Sequence, residues 1–450
     1  MRSRPALLIV LTFLGCIALG AVALAWIGFG PGSRVPDGMA ALFTSVSAVC
    51  VTGLSVVDLS RDADFTAQLV ILILIQIGGL GVLTLSNWIL LSLRGRVGVY
   101  GSILSHETLG SLSRFSPSWV LNRVVVLTLL FEGLGTAVLL LRFWVDHSFE
   151  QALWLAVFHS VSAFCNAGFS LFADSLVQYY EDPVVNLTVM ALIVTGGLGF
   201  VATVDILEQL RAWTSGTRRK LALNTRVALS VSAKLTVLGF ALFLVFEWGN
   251  TFSAEGLDGE VFESLFLSVT ARTAGFNTVH TSHLTNMTLL LLMFLMVVGA
   301  SPGSTGGGVK TTSAAILWAL VRGQMLNRRS AELNGHSVPR ELVAKALALL
   351  ALYGLTAILA MVALQATEFG ELPHDATRGL FLEHLFEVIS ALSTVGLSTG
   401  ITTRLSSGGL VVLMFCMFIG RVGPLVLASS LIGERRPIRY SLPEGDVMVG

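Results

Sequence analysis

Four short phrases in this chain put small neutral residues beside a lone glycine. They read Val51-Thr52-Gly53-Leu54-Ser55, Asn166-Ala167-Gly168-Phe169-Ser170, Thr273-Ala274-Gly275-Phe276-Asn277 and Thr394-Val395-Gly396-Leu397-Ser398. The chemistry open to them is main-chain chemistry. Glycine permits backbone angles that point successive carbonyls the same way, and carbonyl oxygens can replace the hydration shell of a monovalent cation. The flanking side chains carry no charge, so a carboxylate ring for divalent ions is absent and K+ or Na+ is favoured over Ca2+. The glycines recur roughly 105 to 120 residues apart, the mark of an array of four equivalent units. Three copies share an upstream register, Phe-x3-Ser-Ala-x4-Gly from Phe43, Phe158 and Phe386; the third has Val269-Thr270 in place of Ser-Ala.

A second cluster follows the third phrase. Gly299, Ser301, Gly303, Ser304, Thr305, Gly306, Gly307, Gly308 and Lys310 lie in one run, 299–311, between two apolar segments. A loop at membrane depth is tolerated only against protein or a water-filled cavity, so this one is expected to hang beneath the glycine phrases as a gate. Arg421 lies within the last apolar run, where a buried arginine costs at least ~2.5–3.5 kcal/mol and must face a cavity or a partner. Two roles are open to it: a structural pair with Glu132 or Asp205, or an electrostatic barrier below the glycines. For Lys310 the alternatives are a part in the gate and snorkelling to the membrane surface.

The elements that must position these residues are membrane helices. Hydrophobic residues make up 54% of the chain and charged residues 12%; the mean hydropathy is +0.79. Long apolar runs near 6–29, 67–93, 119–141, 184–204, 227–246, 287–300, 342–366 and 409–432 predict eight spanning helices in four pairs, the run from 287 being short, interrupted by glycines and resumed at about 311. The first is too long for a signal-peptide core and is read as a retained helix. Each phrase follows a stretch too short to span, such as 41–50 or 152–165, which predicts re-entrant helices. Their C-terminal ends, worth about −0.5 charge, would aim at a central pore.

Charge fixes the expected topology. Most of the 28 acids, including Asp37, Asp58, Asp174, Glu247, Glu368 and Glu387, fall in the segments around the phrases, with Arg272 among few arginines there. The opposite loops carry Arg94, Arg96, Arg211, Arg219, Lys220, Arg322, Arg328 and Arg435. Positive residues stay in the cytoplasm, so the phrases face outside and both termini inside. The outer acids would gather cations at the mouth and disfavour a nucleic-acid partner.

Other chemistries fit poorly. Gly303-x4-Gly308-Val309-Lys310-Thr311 misses phosphate-loop spacing by one residue and follows no strand. Gly396-Leu397-Ser398-Thr399-Gly400 matches a nucleophile elbow only in letters. Cys16, Cys50, Cys165 and Cys416 lack metal-ligand spacing and read as packing residues. An ion-coupled secondary transporter remains the alternative, although inverted repeats would put successive phrases on opposite faces.

The chain resembles the KtrB/TrkH/HKT superfamily of potassium transporters, and more closely its KtrB-type membrane subunits. The resemblance rests on Thr273-Ala274-Gly275-Phe276-Asn277-Thr278, the run from Gly303 to Thr311, Ile419-Gly420-Arg421-Val422-Gly423-Pro424 and the tail from Pro443 to Gly450. It implies an all-α polytopic membrane protein of four M1–P–M2 (helix–pore loop–helix) repeats around a pseudo-fourfold pore. The repeats would cover 1–100, 101–215, 216–330 and 331–450. It implies K+ uptake through a filter centred on Gly53, Gly168, Gly275 and Gly396, gated by the 299–311 loop with Arg421. It further implies a homodimer in the bacterial inner membrane, Na+ as an activator, and a cytosolic KtrA/TrkA-like nucleotide-binding ring, with no nucleotide bound by this chain and no enzymatic role.

Overall fold

The computed structural model describes residues 5–30, 35–81, 117–217, 219–250, 257–328, 330–370 and 372–432. The basic residues Arg94, Arg96 and Arg435 and the 443–450 tail fall outside them. The described residues are helical apart from loops and a two-residue hairpin, Glu332–Leu333 with His336–Ser337.

A long helix, a short one and a further one follow one another along the chain. They are α1 (Pro5–Ile27), α2 (Asp37–Val49) and α3 (Phe65–Leu80), then α4 (Pro117–Phe143), α5 (Phe149–Cys165), α6 (Pro183–Leu198) and α7 (Phe200–Thr214). The order resumes with α8 (Leu223–Phe246), α9 (Leu257–Thr270), α10 (Asn286–Val297) and α11 (Thr311–Met325). It ends with α12 (Arg340–Phe369), α13 (Leu380–Ser393), α14 (Ser407–Val422) and α15 (Pro424–Ile432).

Among the described residues four helices are long and apolar enough to cross a membrane: Ile9–Ile27, Asn122–Phe143, Leu223–Phe246 and Arg340–Phe369. Their outer faces carry exposed apolar side chains, such as Leu19, Val22 and Trp26 on α1 and Ile358, Leu359 and Val362 on α12. The short helices are the buried ones; Phe43, Phe158 and Phe386 are fully enclosed.

The second apolar runs of the second, third and fourth sets are each a short helix that then breaks, and in the first set the described residues show the helix ending at Leu80. Polar N-caps start these helices: Asp64 accepts from the Ala67 N–H at 2.8 Å, Asp182 from Val184 at 2.9 Å, Thr285 from Thr288 at 3.3 Å and Ser406 from Gly409 at 3.2 Å. Glycines stop three of them. Gly81 (φ 83°, ψ 139°), Gly199 (φ 82°, ψ 149°) and Gly423 (φ 90°, ψ 131°) share one conformation that a side chain would strain. Past Gly199 the chain turns by 103° into α7.

Each broken helix packs against the next short one, α3 on α5, α6 on α9 and α10 on α13, and α14 returns to α2. The four short helices are thereby held in a closed ring, with α1 against α15 sealing first to last.

Candidate functional site

The phrases form four similar turns at the ends of the short helices. Two residues before each glycine the backbone is left-handed, at Val51 (φ 55°), Asn166 (φ 58°), Thr273 (φ 73°) and Thr394 (φ 51°). Left-handed backbone is uncommon for any residue with a side chain and an outlier for β-branched ones, so surrounding bonds must hold it. Those bonds repeat. Thr52, Ala167 and Val395 donate their N–H groups to the carbonyls of Ser47, Ser162 and Ser390 at 2.8, 2.8 and 2.9 Å. The same serines use their hydroxyls: Ser47 accepts from Gly53 N–H at 3.1 Å, and Ser162 and Ser390 donate to the Phe169 and Leu397 carbonyls at 2.8 and 2.7 Å. In the third turn Thr270 replaces the serine one residue nearer its glycine, accepting from Ala274 N–H at 3.0 Å and donating to the Phe276 carbonyl at 2.5 Å. The irregular third phrase is therefore a one-residue shortening with the hydroxyl kept.

Gly53, Gly168, Gly275 and Gly396 have φ of 96°, 70°, 81° and 92° and meet around one centre. A Cβ on Gly53 would strike the Ala167 carbonyl oxygen, one on Gly168 that of Ala274, one on Gly275 that of Val395 and one on Gly396 that of Thr52, each closer than 3.0 Å. Each turn leans on its neighbour and the fourth returns to the first. On one side of this ring opens a cavity of about 300 Å³, lined by the four glycines with Ser55, Asp58, Ser170, Asp174, Asn277 and Ser398 among others. On the other lie Asn166, Thr273 and Thr394, whose Oδ1, Oγ1 and Oγ1 atoms are buried without hydrogen-bond partners, as is Thr52 Oγ1 within the ring wall.

The 299–311 loop sits against that second side, placing three consecutive residues under three consecutive turns. Thr305 Oγ1 accepts from Asn166 Nδ2 at 2.8 Å. A Cβ on Gly306 would collide with Thr273 Oγ1, and one on Gly307 with Thr394 Oγ1. The loop is pinned elsewhere too. Ser301 N–H donates to the Gly197 carbonyl at 3.0 Å and Phe200 N–H to that of Gly303 at 3.1 Å, while Gly299 N–H donates to the Val309 carbonyl at 3.0 Å. Ser301 Oγ accepts from Thr311 Oγ1 at 3.1 Å, and Ser304 Oγ is buried unpartnered. Gly308 takes φ 68° beside Gly299, where a side chain would not fit.

Both cations of the expected gate end on main-chain carbonyls. Lys310 Nζ donates to the Gly306 carbonyl at 2.7 Å, which turns it towards the loop rather than the membrane surface. Arg421 donates one N–H to the Thr305 carbonyl and another to that of Gly78, bridging the loop to α3. The expected pairing of Arg421 with Glu132 or Asp205 is not made. Glu132 accepts from Gln76 Nε2 at 3.2 Å, and Asp205 faces Arg219 at 3.3 Å and the Ala222 N–H at 2.8 Å. Arg272 and Glu387, read with the acidic-side loops, instead lie within the structure: Arg272 Nε is buried without a partner, and Glu387 is fully enclosed.

Gly78-Gly79 and Gly196-Gly197 share a pattern with the arginine that only the structure brings out. Gly78-Gly79-Leu80-Gly81, Gly196-Gly197-Leu198-Gly199 and Gly420-Arg421-Val422-Gly423 each end a broken helix. The first glycine of each sits against the carbonyl four residues before a ring glycine, at Val49, Phe164 and Leu392. A family profile described as TrkH, cation transport protein, matches residues 23–433.

The chain belongs to the TrkH family.

Curated relatives of this TrkH-family chain include the Ktr system potassium uptake protein B of Vibrio alginolyticus, 34% identical over 98% of this chain and 94% of that one. The potassium/sodium uptake protein NtpJ of Enterococcus hirae is 33% identical over 100% of this chain and 98% of its own length. The crystal structure of the potassium transporter TrkH from Vibrio parahaemolyticus shares the fold, with TM-score 0.71 at 20% identity over 95% of this chain and 85% of that one.

Proposed function

We propose that this chain takes up K+ across the bacterial plasma membrane through a pore at the centre of the glycine ring. The carrying observation is the ring itself: four glycines whose turns lean on one another, with a cavity on one side and the 299–311 loop against Asn166, Thr273 and Thr394 on the other. In this reading the chain is four M1–P–M2 repeats, close to 1–100, 101–215, 216–330 and 331–450, and α2, α5, α9 and α13 are pore helices. K+ enters from the cavity, which faces outside, and sheds its water to the carbonyls of residues 51–53, 166–168, 273–275 and 394–396. Both termini are cytoplasmic.

Passage needs no pump. Each 100 mV of inside-negative potential favours one entering cation by ~2.3 kcal/mol. The 299–311 loop closes the inner side, with Thr305, Gly306 and Gly307 beneath the ring and Lys310 and Arg421 holding them. Opening withdraws that triad. The names of the Ktr-system relatives support a multicomponent system, here a homodimer on a cytosolic nucleotide-binding ring, and the Enterococcus hirae relative's name supports a role for Na+.

The test is K+ uptake in bacterial cells that lack their own K+ systems, with the cytosolic partner co-expressed. Wild-type protein should rescue growth at micromolar to millimolar K+. Gly275→Ser, whose side chain would meet the Val395 carbonyl, should insert yet lose K+ uptake or its preference over Na+. An unchanged K+/Na+ preference in that variant would overturn the filter assignment.

A further inference from the structure

The quarters of the ring are held by different side chains on the cavity side, and in the fourth the holding group is a buried carboxyl. Nine residues before the ring glycine stand Thr44, His159 and Glu387 in the first, second and fourth quarters. Thr44 Oγ1 is buried and unpartnered. His159 Nε2 lies 2.9 Å from Ser170 Oγ, two residues past Gly168. Glu387 does much more. Its Oε1 accepts from Ser398 Oγ at 2.5 Å and from Thr399 N–H at 3.2 Å, and its Oε2 accepts from Thr402 Oγ1 at 2.9 Å. Ser398 Oγ in turn lies 3.0 Å from Thr402 Oγ1 and accepts from Gly400 N–H at 2.9 Å.

One side chain on α13 thus fastens the whole stretch from Ser398 to Thr402. That stretch walls the cavity directly above Gly396, with Ser398, Gly400 and Thr402 on its lining. Glu387 touches neither the cavity nor the ring carbonyls, and it is fully buried. It can act on an ion only through the backbone it holds.

We propose that Glu387 is a positioning residue that sets the K+/Na+ preference of the ring by fixing its fourth quarter. The proposal rests on the filter reading above. A site that tells two ions apart by size must hold its oxygens at one spacing, and a segment freed to relax can close on the smaller ion. Ser390 already ties the inner part of this quarter, accepting from Gly396 N–H at 3.1 Å and donating to the Leu397 carbonyl at 2.7 Å. Glu387 completes the anchorage above it.

The measurement is the ratio of initial K+ to Na+ uptake in K+-depleted cells expressing the full chain with its cytosolic partner, at matched membrane abundance. Glu387→Ala removes all three acceptor contacts and should lower the ratio roughly fivefold, the equivalent of about one lost hydrogen bond. Glu387→Gln keeps an oxygen for Ser398 and Thr399 and offers its N–H to Thr402, so it should stay within about twofold of wild type. Glu368→Gln, at a carboxylate that holds Ser406 away from the ring, is the control and should leave the ratio unchanged. A wild-type ratio in Glu387→Ala would overturn the proposal, as would a Gln variant as impaired as the Ala one, since that would point to charge rather than anchorage. If Glu387→Ala fails to reach the membrane or conducts nothing, Ser398→Ala decides: a lowered ratio supports the proposal and an unchanged one sinks it. Gly275→Ser run alongside separates the two readings. A shift there with none at Glu387 or Ser398 rejects only this inference, while no shift in any of them rejects the filter.

Discussion

At the scale of single residues, Arg421 occupies the position that Gly79 and Gly197 hold in the other two broken helices. A side chain at Gly79 would run into Cys165 Sγ, so that position cannot carry an arginine as built. In the fourth quarter the guanidinium instead reaches the Thr305 and Gly78 carbonyls. Charge-assisted hydrogen bonds to buried carbonyls contribute about 1.5–3 kcal/mol each, so losing two should move a closed loop well towards open. Arg421→Gln is therefore expected to raise K+ flux roughly tenfold or more without the cytosolic partner. Flux into liposomes carrying the membrane protein alone checks it, and flux at or below the wild-type level would contradict the clamp.

At the scale of elements, the glycine breaks separate strain from packing. Gly199 and Gly423 share nearly the same backbone angles, yet a Cβ on Gly199 would hit the Pro302 carbonyl and Gly303 of the loop, while one on Gly423 meets nothing within 4 Å. Gly423→Ala should cost only the conformational term, about 1–3 kcal/mol. Gly199→Ala should cost clearly more and also displace the loop. Thermal unfolding of the detergent-solubilised variants gives the order; equal losses would show that the loop does not rest on α6.

The same elements show what a single chain of letters reveals. The ring glycines were legible because positive φ and backbone-to-backbone contact both demand glycine, and the demand recurs four times. Long apolar helices were legible from hydropathy. The break at the 299–311 loop was legible too, but the other three were not, because Leu80, Leu198 and Val422 keep the apolar signal running through a conformation only the next glycine reveals. Arg421's partners were hidden as well. Sequence proposes carboxylates for an arginine, whereas the broken ends of helices supply free carbonyls that no residue type advertises. Glu387 was hidden for a related reason: an acid near a loop reads as solvated until its burial is seen.

At the scale of the whole molecule, the cavity end carries Asp58 and Asp174 on its lining. Carboxylates around a narrow mouth raise the local concentration of cations, and salt weakens the effect. Asp174→Asn, at an exposed position, should raise the apparent KM for K+ about twofold at low ionic strength and much less near physiological salt. A KM shift that ignores ionic strength would place Asp174 in direct contact with the ion instead.

The closure of α14 onto α2 also dictates when this protein can become itself. α2 and α14 are separated by most of the chain, and so are α1 and α15. Contacts between distant segments come late, and synthesis runs from the N-terminus. The first short helix must then wait in the bilayer for its neighbour on the ring. Until it arrives, α2 leans on α1, where Ser45 Oγ donates to the Ile17 carbonyl at 2.8 Å, and on α3. A ribosome stalled before Ser407 would leave all four turns made but the ring unclosed, because α14 is the helix that returns to α2. If the ring is the ion path proposed above, the seal across the bilayer is the last part of this protein to be made.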